Sequence, residues 1–154
     1  MKEQLQEAWR IHQNMNLLLI DNVTDEGMEK TMSNRGGRTI YQQLVHLHNV
    51  RMGWLEICAK SIFSEYKKFD KDSPYDKVKL KNALSESATA VARFIEISWE
   101  KQGKVTGFKK GLIPFISYLI SHESHHRGNI LLTLKLQGMT LPDVLKWGLW
   151  EWGK

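Results

Sequence analysis

A chain of 154 residues, 42% hydrophobic and 25% charged, is long enough to bury one core and has the balance of a soluble globular protein. Its single cysteine, Cys58, excludes an intramolecular disulfide, and no stretch approaches the ~18 consecutive apolar residues of a membrane span. The net charge of +5 is dispersed over Lys67-Lys68 with Lys71, Lys77/Lys79/Lys81 and Lys109-Lys110 without interleaved aromatics, which predicts solvated faces and no nucleic-acid platform. The opening MKEQLQEAWRIHQ lacks the apolar core of a signal peptide, so the expectation is a single cytoplasmic domain over residues 1–154.

Taken in chain order, the apolar spacing is helical nearly throughout. Leu5, Trp9, His12, Met15 or Asn16, and Leu19 recur at three- and four-residue steps and predict a first helix from about Lys2 to Asp21. The segment Thr24 to Arg38 ends in the loop signal Ser33-Asn34-Arg35-Gly36-Gly37. A second long helix is expected from about Thr39 to Phe63, on the stripe Ile40, Leu44, Leu47, Val50, Trp54 and Ile57. Glu65 to Ser73 is polar and reads as a loop. A third helix is expected from about Pro74 to Gln102, with Leu80, Leu84, Ser87, Val91, Phe94 and Ile95 on its face. Gly103 to Leu112 reads as a loop, with a weak signal for a strand pair over Lys104 to Gly111. The fourth helix is expected from Pro114 to Gln137, stopped by Gly138. A short helix then starts near Pro142 and carries Trp147, Trp150 and Trp152, which are expected to pack, closing one end of the bundle or a dimer seam. Four long helices around one core make an all-α four-helix bundle with a short C-terminal helix.

The chemistry concentrates in His122-Glu123-Ser124-His125-His126-Arg127-Gly128-Asn129, which holds three of the six histidines. Positions i and i+4 of a helix lie about 40° apart, so His122 and His126 can point two imidazoles at one metal ion. The same letters spell H-E-x-x-H, in which Glu123 would be the general base of a zinc protease. The surroundings argue against that. Asn129 and Leu132 stand where a metzincin needs Gly and His, and no convincing strand is available to hold an extended peptide.

A catalytic site needs a third ligand. His12, His46 and His48 remain, and His12 reads as a hydrogen-bonded core residue. His46 and His48 are roughly 160° apart and cannot both serve one ion. The apolar stripe lies about 90° from His46 and about 110° from His48, too small a difference to choose between them, although Gly53 leaves open space beside His46.

The segments QQLVHLHNVRMGW and HESHHRGNILLTLKLQG, and the ending Gly148-Leu-Trp-Glu-Trp-Gly153, resemble the DinB-like family of bacterial four-helix proteins. That family pairs a histidine with an aromatic eight residues later, here His46 and Trp54, and carries a later H-x-x-x-H-R-G-(Q/N), here His122, His126, Arg127, Gly128 and Asn129. The resemblance covers nearly the whole chain. It implies that His46, His122 and His126 together hold a divalent metal, zinc or nickel, inside the bundle. His48 and His125 are extra to the pattern, with His48 an alternative to His46 and His125 to His126. The resemblance also moves Glu123 out of the catalytic role. One residue on from His122 it points about 100° away and is expected to form a solvated ion pair with Arg127, or else to support a ligand histidine of a neighbouring helix.

What the resemblance implies for activity is a metal-dependent reaction on a small molecule, with a low-molecular-weight thiol activated as thiolate for S-transfer. The alternatives are hydrolysis of small amides or esters by a metal-bound water, or a non-enzymatic stress-related module with a structural metal. That last reading calls for a fourth ligand from Cys58, Asp21 or Glu56. The pocket is expected between the second and fourth long helices, beside Trp54 and Tyr118. A homodimer is expected, with no nucleic-acid or membrane partner.

Overall fold

In the computed structural model the helical spacing is realised, among the described residues, in seven helices: α1 (Lys2–Asn22), α2 (Asp25–Met28), α3 (Ile40–Cys58), α4 (Lys60–Phe63), α5 (Lys77–Glu100), α6 (Leu112–Leu136) and α7 (Asp143–Gly148). The described residues are 1–33, 35–64, 66–71 and 73–152. Asn34 of the expected glycine-flanked loop, Glu65 of the polar loop and Gly153 of the tail lie outside them.

The caps are built into the sequence. Thr39 Oγ1 accepts the Gln42 amide while Gln42 Oε1 accepts the Thr39 amide, a capping box that fixes where α3 starts. Asp76 caps α5 by accepting the Lys79 amide, so α5 begins later than Pro74. Gly138 (φ +71°) closes α6: its amide bonds Lys135 O while Met139 bonds Leu134 O, the paired bonds of a Schellman end.

Two expectations are corrected. The second long helix is not continuous to Phe63. Ala59 leaves the helical region (φ −155°, ψ 65°), and the resulting bend turns Ile62 of α4 into the core. Residues 104–111 contain no strand among the described residues. Gly103, Gly107 and Gly111 all adopt positive φ and curl that segment into successive turns.

The four long helices form a ring in which α1 packs on α5 and α6, and α3 packs on the same two. The apolar core is split. One cluster joins Leu19, Ile20, Leu44, Leu47, Leu80, Leu84, Ile130 and Leu134, and a second joins Trp9, Met52, Leu55, Val91, Phe94, Phe115 and Leu119. Between them every long helix contributes buried polar side chains: His12, Gln13 and Asn16 from α1, His48 and Arg51 from α3, Ser87 from α5, Glu123 and Arg127 from α6. The order of the clusters along each helix shows α1 and α6 running one way and α3 and α5 the other.

The tail tryptophans do not close the end of the bundle. Trp147, Trp150 and Trp152 are 66%, 80% and 66% exposed, while Leu145 and Leu141 do the sealing.

Candidate metal centre

α3 and α6 are neighbours in the ring, so the faces of His46 and of His122/His126 meet across their interface. The ligand-capable atoms of these three residues lie within 4.8 Å of one another. Their ring centroids are 5.3 Å (His46–His122), 5.0 Å (His46–His126) and 4.8 Å (His122–His126) apart, all at steep interplanar angles. All three are half-buried.

Each histidine is held toward its neutral form. Burial lowers the pKa of His46, aided by the positive charge of Arg38 and by His122. Burial does the same for His122, against a raising contribution from Glu123. For His126 burial, its two partner histidines, His125 and Arg38 bring the pKa down to about 4. Three neutral imidazoles at neutral pH are ready electron-pair donors. Gln43, one turn before His46, places Oε1 3.4 Å from His126 Nδ1 and so orients that ring. The Nδ1 of His122 is buried and has no hydrogen-bond partner, which in a protein interior calls for an explanation. A cation bound among the three imidazoles supplies one, so the donor set fits a divalent metal.

Among the described residues no cysteine, aspartate or glutamate joins this group. Cys58 is part-buried, with its thiol pKa raised by that burial. Asp21 is paired with Lys81 and Glu56 with Lys68. The fourth ligand required of a closed structural site is therefore not offered by any of the three residues expected to provide one.

His48 and His125 stand apart. His48 is buried, its Nδ1 3.0 Å from Ala83 O and its Nε2 2.8 Å from Lys67 O, so the ring is wedged between two backbone carbonyls, one of which accepts the N–H of the neutral imidazole. His125 is exposed and shares a 3.0 Å hydrogen bond with Asn129 Nδ2.

Glu123 corrects the expectation of a solvated pair with Arg127. It is 1% exposed, and Arg51 donates to it through Nε at 2.7 Å and Nη2 at 2.6 Å. His12 Nε2 and Asn16 Nδ2 each approach Oε2 to 2.7 Å. Burial opposes ionisation, but the charge and hydrogen bonds of Arg51, with those of His12, outweigh it and hold the carboxyl far below the usual carboxylate range. Arg51 itself is spread over Leu84 O, Ser87 Oγ and Gln13 Oε1, with Trp9 stacked 4.8 Å from its guanidinium. Glu123 thus faces the bundle interior, in a network with every partner accounted for, and cannot reach a substrate at the histidines.

Beside the histidines lies an aromatic wall. Tyr118 stacks on His122 (6.1 Å, 20°), and Trp54 meets Tyr118, Phe115 and Phe108 edge-on at 5.7, 5.5 and 5.8 Å. Of the two residues expected beside a pocket, Tyr118 touches His122 and Trp54 touches Tyr118. Gln43, Arg38, Arg51 and Phe108 were not singled out from the sequence. Arg51 had a signal: it lies four residues from both Leu47 and Leu55, in the middle of an apolar stripe.

The family model that matches the chain is that of the DinB family, over residues 1–150. No curated protein and no solved structure matches it.

Proposed function

The chain belongs to the DinB family, and from that premise we propose that it is a metal-dependent enzyme transferring a low-molecular-weight thiol to a small electrophile, with His46, His122 and His126 as the ligands of a zinc or nickel ion. The observation that carries the reading is the trio itself: three neutral imidazoles, one with an orphaned buried nitrogen, and among the described residues no fourth protein donor beside them. A divalent ion held there by three ligands supplies an open position and lowers the pKa of a bound thiol.

The chain's own residues supply the rest. Gln43 sets the orientation of His126. The Arg38 guanidinium lies close enough to His46 and His126 to depress both and would favour an anionic group on the incoming molecule. The rings of Trp54, Phe108 and Tyr118 offer an apolar wall that sheds water from the reacting pair. The hydrolase alternative is less well supported, because hydrolysis gains from a general base and the carboxylate next to the histidines, Glu123, is buried and bonded on the far side. The protease reading loses the same residue and the sheet edge it needs.

Cobalt-substituted protein titrated with small thiols tests the reading. A shift of the visible spectrum toward thiolate coordination, absent in His46→Ala and His126→Ala, is the expected result. A wild-type protein that takes up no zinc, nickel or cobalt would overturn it.

A further inference from the structure

Two arginines, Arg51 and Arg127, are buried in this bundle, and among the described residues only one buried carboxylate, Glu123, accompanies them. Arg51 takes that carboxylate with two hydrogen bonds. Arg127, 8% exposed, hydrogen-bonds only to neutral groups, Asn16 Oδ1 at 2.7 Å, Ser124 Oγ at 3.0 Å and His12 Nδ1 at 3.4 Å, and feels the same Glu123 carboxylate at one remove, since Asn16 and His12 also contact it. Two buried guanidinium groups sharing one carboxylate leave an excess of buried positive charge, which is costly unless a further anion balances it.

Arg127 forms part of the floor of a groove of about 410 Å³ between α1, α6 and the C-terminal tail, on a different face of α6 from His122 and His126. Its walls are mainly apolar, formed by Ile11, Met15, Ile120, Leu131, Trp150 and Trp152, with His12 and Ser124 beside the arginine. Its size falls within the roughly 300–1,000 Å³ of small-molecule sites. Gly128 keeps it open, since a Cβ there would meet nothing within 4 Å. One planar guanidinium under an apolar trough matches one carboxylate on an apolar chain, because the fork of the arginine pairs with both oxygens of a carboxylate.

We propose that this groove binds a small amphipathic carboxylate, its head group on Arg127 and its chain along Ile11, Ile120 and the tail tryptophans, as a site separate from the three histidines.

The test is a tryptophan-fluorescence titration of the full chain with octanoate and with 1-octanol, in metal-loaded and in chelator-treated protein. Octanoate is expected to bind at least tenfold more tightly than octanol, equally with and without metal. Arg127→Gln is expected to abolish that difference while octanol still binds. Gly128→Leu leaves Arg127 in place but fills the trough, and is expected to weaken both ligands at least tenfold, which keeps the test decisive should Arg127→Gln fail to fold. Equal affinity for octanoate and octanol, octanoate binding that survives Gly128→Leu, or binding lost on chelation would each overturn the proposal. So would a protein that sediments as a dimer and binds neither ligand, which would assign the groove to a second copy of the chain.

Discussion

Arg51 of α3 and Glu123 of α6 grip each other across the bundle interior through two hydrogen bonds of 2.7 and 2.6 Å, at 0% and 1% exposure. Removing one partner strands the other charge in the core. Glu123→Gln is therefore expected to cost about 3–5 kcal/mol in urea denaturation. The metal content of whatever fraction stays folded should be unchanged. A variant as stable as the parent would contradict the buried pairing.

His46 and His48 should separate function from stability although they are two residues apart. His48→Ala removes a buried ring packed between the Ala83 and Lys67 carbonyls together with the one hydrogen bond the neutral ring donates there, and is expected to destabilise the fold by about 2–4 kcal/mol while retaining metal. His46→Ala should lose metal and shift the stability of the metal-free protein by less than about 1 kcal/mol, since its ring is only part-buried. Elemental analysis and denaturation of both variants make the comparison, and metal loss from His48→Ala would reverse the assignment.

Acid should weaken the metal-free protein in a defined window. His12, His46, His48, His122 and His126 all have lowered pKa values, chiefly through burial, and that of His126 falls to about 4. The unfolded chain takes up protons near pH 6.5 while the fold still resists them. The unfolded state therefore binds more protons in between, and stability rises with pH from about 4 to about 6.5 and levels off above 7. The depressed carboxyl of Glu123 acts in the same direction at lower pH, its contribution fading only below the ordinary carboxylate range. Melting temperatures at pH 4.5, 5.5, 6.5 and 7.5 read this directly, and a flat profile would refute it.

Two glycines should respond to alanine with opposite signs. Gly128 is helical with open space around it, so Gly128→Ala is expected to stabilise by about 0.5–1 kcal/mol. Gly107 has φ +77° and an added Cβ would lie 2.6 Å from Ile57 Cγ2, so Gly107→Ala is expected to cost more than about 1 kcal/mol. Thermal melts of the two proteins check both signs.

Helix periodicity made the bundle legible, and the i, i+4 histidines made half of the histidine cluster legible, because both are local patterns. The choice of His46 over His48 was not decided by helical angles alone. The structure brings His46 to the pair because α6 packs against α3 on that side, a fact of tertiary arrangement. Glu123 looked solvated because charged residues usually are. Yet Glu123 and Arg127 continue the spacing Leu119, Glu123, Arg127, Ile130 and Leu134 along the core face of α6, just as Arg51 continues that of α3. Projecting the charged residues onto the apolar stripes would have marked all three. The tail tryptophans misled in the opposite way. Their apolar bulk implied packing at the end of the bundle, but among the described residues Leu141 and Leu145 take that place and the three rings stay exposed.

Neighbouring residues on α6 look in directions about 100° apart, with His122 toward His46 and Glu123 toward Arg51. A slip of α6 by a single position would deliver Glu123 to the histidine cluster and Ser124 to Arg51, leaving an arginine buried without its counter-charge. Misregistration would thus disperse the three-histidine cluster and break the core at once. The paired charges act as a proofreading key for the threading of this helix, so that chains whose ligands are misplaced are also chains that fail to fold.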